Sequence, residues 1–237
     1  SYLLKDSIIS FLIDDSYSKA DTLVVDPELI FSTYSGSFAD NFGYTATYDE
    51  FGFLYSGSSV FGDFYPTTLG AYDVSFNSNP IYGLDVVYDA VIGGNVWAYY
   101  GNTDVAISKY DTSGTKLIYS TYIGGELCEV PHSIVVNSKN ELLILGTTGS
   151  DQFPVTSGAY DNSFAGGSKI NLSRGIGLNY MNGSDIFLSK LSADGTQLLS
   201  STYFGGTSND GVNERLNNNY ADQMRGDIAV DSADNVY

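Results

Sequence analysis

The sequence predicts an all-β chain of repeated antiparallel units, as blades or stacked sheets, about three in number with the last one incomplete. Three observations carry this. The first is an internal repeat. Residues 104–125, DVAISKYDTSGTKLIYSTYIGG, align without a gap to residues 185–206, DIFLSKLSADGTQLLSSTYFGG, and about half of the positions are identical. The second is composition. There are 20 Tyr and 13 Phe but 2 Met and 1 Trp, and aromatic residues suit pleated, half-buried surfaces. The third is periodicity. No stretch sustains a 3.6-residue apolar period over a helix length, whereas 26 Gly with clustered Asn, Asp and Ser supply turns.

The elements follow in order. Residues 1–28 read as an N-terminal strand segment leading into the repeats. The first unit, 29–103, opens on Phe31-Ser32-Thr33-Tyr34-Ser35-Gly36, a further copy of the Ser-Thr-Tyr strand. The copies recur at roughly 80–90 residues. A strand–turn–strand follows around Tyr48-Asp49-Glu50-Phe51-Gly52-Phe53, then Phe64-Tyr65-Pro66-Thr67-Thr68-Leu69-Gly70-Ala71-Tyr72-Asp73. The second unit, 104–184, repeats this order. Its strand–turn–strand is Val136-Asn137-Ser138-Lys139-Asn140-Glu141, followed by Gln152-Phe153-Pro154-Val155-Thr156-Ser157-Gly158-Ala159-Tyr160-Asp161. The third unit, 185–237, stops within Val230-Asp231-Ser232-Ala233-Asp234-Asn235-Val236-Tyr237, so the chain reads as a piece of a longer array. Asp111-Thr112-Ser113-Gly114-Thr115 and Ser192-Ala193-Asp194-Gly195-Thr196 predict short hairpins with a Gly bulge. Insertions at roughly 77–103, 165–184 and 207–225 are where a repeat scaffold carries recognition.

Charge narrows the partners. Lys plus Arg number 10 against 28 Asp plus Glu, a formal net charge of −18 that repels phosphate backbones, so nucleic acid is a poor partner. No apolar run approaches ~18 residues, so no transmembrane segment is expected. The opening residues lack the basic and apolar regions of a signal peptide. The acidic surface serves solubility on one reading and divalent-cation binding on the other. Calcium is the one cofactor considered, with Asp231 and Asp234 as its weak candidate ligands. Turn-forming Asp and Asn explain the same residues without a metal.

One Cys and one His sit together in Glu126-Leu127-Cys128-Glu129-Val130-Pro131-His132. A nucleophile–base pair or a metal site is conceivable there. The repeat register instead puts the segment in a variable loop after the Ser-Thr-Tyr strand. No phosphate loop or nucleophile elbow is present. A paired-carboxylate glycosidase needs two acids at a set separation, which sequence does not select. Trp97, Tyr99 and Tyr100 suit either blade packing or sugar stacking. No catalytic or cofactor-binding residue is assigned, and the chain is not expected to be an enzyme.

The blocks together resemble SBBP repeats, the β-propeller repeat of large surface proteins of Bacteroidota. The matching segments are residues 185–195, 198–206, 228–237 and 152–160. The wording of residues 29–36 and 41–49 is similar to that in proteins carrying a gliding-motility-associated C-terminal domain. The resemblance implies a β-propeller-like array of antiparallel blades, incomplete in this chain. It also implies export by the type IX secretion system, an extracellular, outer-membrane-associated location and a structural or adhesive role without catalysis. It implies partners among surface proteins, the secretion or gliding machinery, or surface glycans. Alternatives are a glycan-binding or glycan-cleaving propeller, and a cargo or accessory subunit of that machinery. Asp6-Ser7-Ile8, Asp21-Thr22-Leu23 and Asp231-Ser232-Ala233 resemble the O-glycosylation motif of that phylum, with Ser7, Thr22 and Ser232 as acceptors.

Overall fold

Hairpin turns dictate the strand order. The computed structural model describes residues 2–5, 8–11, 29–78, 83–89, 93–172, 177–213 and 223–237. Within the unit spanning residues 1–32, strands β1 (Tyr2–Lys5) and β2 (Ile8–Phe11) pair antiparallel. The unit spanning 33–237 holds β3 (Asn41–Tyr48), β4 (Leu54–Val60), β5 (Gly83–Asp89), β6 (Gly94–Tyr100), β7 (Asp104–Tyr110) and β8 (Leu117–Ile123). It continues with β9 (Glu129–Val136), β10 (Leu142–Thr148), β11 (Ile170–Leu172), β12 (Leu178–Tyr180), β13 (Asp185–Leu191) and β14 (Leu198–Phe204). Two four-stranded antiparallel sheets run β3-β4-β7-β8 and β9-β10-β13-β14. The hairpins β5–β6 and β11–β12 are inserted between the second and third strand of each. Among the described residues there is no helix, so the protein is all-β. Each sheet takes two strands from one sequence unit and two from the next.

The turns explain why these strands pair in this register. Asp49, Asn137 and Asp231 occupy the same place in three successive turns. In each, the side-chain Oδ1 accepts from the backbone N–H two and four residues on: Phe51 and Phe53, Lys139 and Glu141, Ala233 and Asn235. The fourth turn residue adopts positive φ, at Gly52 (83°), Asn140 (60°) and Asp234 (61°), where Gly, Asn and Asp are tolerated. The predicted Gly-bulge hairpins form as well. Gly114 (φ 67°) and Gly195 (φ 71°) close turns on Asp111 and Ser192, with register shifts beside Tyr110 and Leu191.

The two halves of the repeated unit prove to be two sides of one contact. The segment from Thr68 to Asp73 runs along the outer edge of β8. Thr68 N–H donates to Ser120 O, and Tyr122 N–H donates to Asp73 O. Thr121 Oγ1 accepts from Asp73 N–H and donates to Asp73 O, both at 2.9 Å. Tyr122 Oη accepts from Tyr65 N–H and donates to Gly62 O, both at 3.1 Å. The second sheet repeats each bond: Thr156 with Ser201, Asp161 with Thr202 and Tyr203, and Tyr203 Oη with Phe153 N–H and Ser150 O. The outer strand of each sheet therefore presents no open backbone edge along this stretch.

Phe31-Ser32-Thr33-Tyr34 departs from expectation. It forms no strand, and Tyr34 is 96% exposed where its counterparts Tyr122 and Tyr203 are buried. A strand needs a hydrogen-bonded neighbour, and none pairs with this segment among the described residues.

A single aromatic and aliphatic layer joins the two sheets. Tyr55, Val105, Ile107, Tyr119 and Ile123 of the first pack with Ile134, Leu142, Ile144, Phe187 and Tyr203 of the second, and with Phe153. Opposed acid–base pairs tie the hairpins. Lys109 lies 3.4 Å from Asp49 and over the Phe53 and Tyr55 rings; Lys190 lies 3.2 Å from Glu141. Burial opposes ionisation of Asp49, but hydrogen bonds from Phe53 N–H and the Tyr55 hydroxyl, with the Lys109 ammonium, outweigh it and hold its carboxyl below the ordinary value.

The first Gly of each Gly-Gly pair, Gly124 and Gly205, is required for a steric reason: a Cβ there would meet Asp104 or Asp185. A Cβ on Gly124 would lie 2.5 Å from Asp104 Cγ, whereas one on Gly206 would meet nothing closer than Asp210 Oδ2 at 4.0 Å. Gly124→Ala is expected to cost about 1–3 kcal/mol and Gly206→Ala less than about 0.5 kcal/mol. Urea unfolding of both variants measures the contrast, and equal losses would remove this reading of the motif.

Candidate functional site

The Cys–His segment singled out by sequence separates into two environments. Cys128 is fully buried with Val130, Ile170, Leu178 and Tyr180, and its Sγ lies 3.5 Å from Gly101 O, Asn102 Oδ1 and Asn179 O. Burial, with the neighbouring Glu129, pushes its thiol up to about 12. A thiol so shielded is not a nucleophile. His132 is not in a variable loop as expected: it lies inside β9. The reason is that β9 starts at Glu129, directly after the Thr103–Cys128 bridge.

Asp231 and Asp234 are turn acceptors. Asp231 takes the Ala233 and Asn235 amides, the Asn235 Nδ2 and the Tyr237 hydroxyl. Asp234 takes Ser138 N–H and Oγ–H from the preceding turn, at 2.9 and 2.7 Å. Among the described residues no group of three or more His, Cys, Asp or Glu side chains is arranged to hold a metal. Ser232 sits exposed at the turn tip; Ser7 and Thr22 lie outside the described residues. The Trp97 and Tyr99 side chains also lie outside them, and Tyr100 is half-buried.

Two features escaped the sequence. The first is a cavity of about 380 Å³ lined by Gly43, Tyr44, His132, Met224, Arg225, Gly226 and Asp227. Tyr44 and His132 are each the extra residue of a β-bulge. Register skips from Gly43 to Thr45 in β3 and from Pro131 to Ser133 in β9. Aligned by their turns at Asp49, Asn137 and Asp231, Tyr44, His132 and Gly226 hold one position in three successive units. Bulges re-aim side chains, and here they turn equivalent positions to a shared space. His132 Nε2 lies 2.9 Å from Thr147 Oγ1, and burial pushes its imidazole down to about 4, so the ring is neutral at pH 7. Asp227 Oδ1 accepts from Ser133 Oγ at 2.7 Å and from Ile228 N–H at 2.9 Å.

The second is a buried pair of acids, Asp104 and Glu129, both without solvent exposure. Asp104 opens β7 and accepts from Asn77 N–H, Ser78 N–H and Ser78 Oγ. Glu129 opens β9 and accepts from Thr148 Oγ, Ser150 Oγ and Gly125 N–H. Asp185 and Asp210 repeat the arrangement toward Ala165, Gly166 and Gly206 amides. Burial pushes Asp104 up to about 6, and burial with the Asp104 charge pushes Glu129 up to about 8. These acids lock strand starts to the preceding loops. The legible signal was an Asp opening both aligned strands and an acid four residues after each Gly-Gly.

No protein-family model matches the chain, and no curated protein matches it.

Two outcomes are expected. Both acids of the pair titrate above their unfolded values of about 4, so their contribution to stability is complete below that pH and is lost as pH rises through about 8. Between pH 5 and 9 unfolding free energy falls on the order of a few kcal/mol, and Glu129→Gln flattens that slope; an unchanged slope in the variant would sink the assignment. Cys128 resists thiol-specific reagents in the folded protein and reacts at once in denaturant, as a colorimetric thiol assay reads.

Proposed function

We propose that the two sheets are successive blades of a propeller-like array. In this reading the protein is a non-catalytic, structural or adhesive module of a secreted cell-surface protein linked to type IX secretion and gliding motility. The observation that carries the architecture is the convergence of Tyr44, His132 and Gly226 on one cavity. Equivalent positions of three units meet when units are arranged around an axis, and would not meet along a straight stack. The interlayer contacts support it too. Ile228 and Val236, aligned with Ile134 and Leu142, lie against Leu145, Ile186, Leu188 and Phe204 around an apolar cavity of about 310 Å³. This repeats the way Ile134 and Leu142 pack on the first sheet.

The engagement of several carboxylates within the fold supports that role. Asp104 and Glu129 are enclosed, and Asp49, Asp111, Asp161, Asp194 and Asp231 hold turn amides or hydroxyls. A glycosidase needs a general acid and a second carboxylate both facing the substrate, a task that acids held by their own turns do not serve. Partners in this reading are proteins of the surface, secretion or gliding machinery, or surface glycans.

Surface labelling of intact cells tests the proposal. A membrane-impermeant biotin reagent labels the protein in cells with a working type IX translocon and fails to label it when the translocon is deleted. Retention behind the outer membrane with an intact translocon overturns it.

A further inference from the structure

The shared cavity has wall chemistry that selects a ligand. Thr147 Oγ1 lies 3.2 Å from Gly211 O and 2.9 Å from His132 Nε2, and its single hydroxyl proton can serve only one of them at a time. The ring tautomer follows that choice. In either tautomer His132 Nδ1 has no hydrogen-bond partner among the described residues. That nitrogen faces Gly226, where a Cβ would sit 3.0 Å from it. An acceptor lies on the same wall. Asp227 uses Oδ1 for Ser133 and Ile228, which leaves Oδ2 with its lone pairs for a hydroxyl donor.

Charge and shape narrow the choice. The Asp227 carboxylate and the net charge of −18 oppose an anion, and Arg225 on the same lining brings the opposite sign of charge beside Asp227. The Tyr44 ring and Met224 supply apolar surface, and Gly43 and Gly226 leave the approach flat. The cavity, about 380 Å³, falls within the range of about 300–1,000 Å³ typical of small-molecule sites. A neutral molecule with hydroxyl donors on its edges and a C–H face fits these walls.

We propose that the cavity formed by Tyr44, His132, Gly226 and Asp227 binds a neutral saccharide ring. Its hydroxyls hydrogen-bond with His132 Nδ1 and donate to Asp227 Oδ2, and its C–H face lies on Tyr44. The inference concerns a ligand, and it stands whether or not the protein is displayed on a cell surface.

The test is titration of the protein with methyl glucosides, galactosides and mannosides, then with maltose and cellobiose. Histidine-ring NMR and calorimetry are the readouts. His132 is the sole histidine, so its ring signals report on this site alone. At least one glycoside is expected to bind and move the His132 Nδ1 resonance. A disaccharide that binds as well as its methyl glycoside assigns the terminal ring of a glycan. Gly226→Ala, which fills the space before Nδ1, and Asp227→Asn, which keeps the Ser133 acceptor, each weaken binding at least about tenfold. Melting curves of both variants matching the unsubstituted protein separate this loss from misfolding, and if one variant misfolds the other decides. The proposal is overturned if no glycoside moves the His132 ring. It is equally overturned if acetate binds in place of the glycosides, or if a folded variant binds undiminished.

Discussion

The contact between the Ser-Thr-Tyr strand and the segment ending in Gly-Ala-Tyr-Asp is the interaction on which the rest of the structure depends. Its chemistry is backbone chemistry supplied by side chains. Thr121 and Thr202 each accept the amide and serve the carbonyl of one Asp residue, and Tyr122 and Tyr203 each bridge the amide of one residue and the carbonyl of another, Tyr65 and Gly62 or Phe153 and Ser150. An irregular segment that lacks a ladder of its own is thereby satisfied. Its course then delivers Asn77 and Ser78, or Ala165 and Gly166, to the carboxylate that opens the third strand. The Gly that ends the outer strand makes room for that same carboxylate. Most of the repeated vocabulary is thus one connected hydrogen-bond system.

How far the sequence could be read follows from how local each feature is. The turns at Asp49, Asn137 and Asp231 are self-contained, with every bond within a few residues, and their Gly, Asn and Asp spacing announces them. The sheets are less legible. A repeat has no intrinsic starting point, and the chain passes from β8 to β9 through Gly124 and Gly125 with no hydrogen-bonded pairing between those strands. The sheet boundary therefore falls inside the sequence unit. The role of His132 was hidden for a related reason. Pro131 looks like a loop residue, yet it sits on an edge strand beside a bulge, where a proline costs no ladder bond. The cavity it lines arises from three positions far apart in the chain, and no local pattern encodes that meeting. Glu129 was noticed only as part of a loop, because its burial depends on Thr148 and Ser150 from the neighbouring strand and its end.

The acidity of the chain also takes on a different meaning. Many of its carboxylates are acceptors within turns, and hydrogen bonds from the Ser163 and Ser192 hydroxyls, joined by turn amides, hold Asp161 and Asp194 below their ordinary values. At Asp111 desolvation is the largest single effect and opposes ionisation, but the combined hydrogen bonds from Lys116, Ser113 and Thr115 outweigh it. The buried pair at Asp104 and Glu129 shifts in the opposite direction for want of solvent. Negative charge here is largely a material of the fold, distributed between ionised turn acids and enclosed, proton-holding ones. The two sets place opposite demands on the solution: turn acids need to stay ionised, and the enclosed pair needs to keep its proton.

Near-identical sheets tethered in one chain face a hazard of mispairing. Each copy meets its neighbour at high effective concentration, and a strand from one can be captured by the next during synthesis. The contact along β8 and β14 guards against that exchange. It is made by a segment that carries Pro66 or Pro154 and, in the first copy, Gly70 at φ 83°, so it cannot extend into a fifth strand. A nascent outer strand that finds this segment is closed to every other copy, and tandem duplication of the unit becomes tolerable to folding.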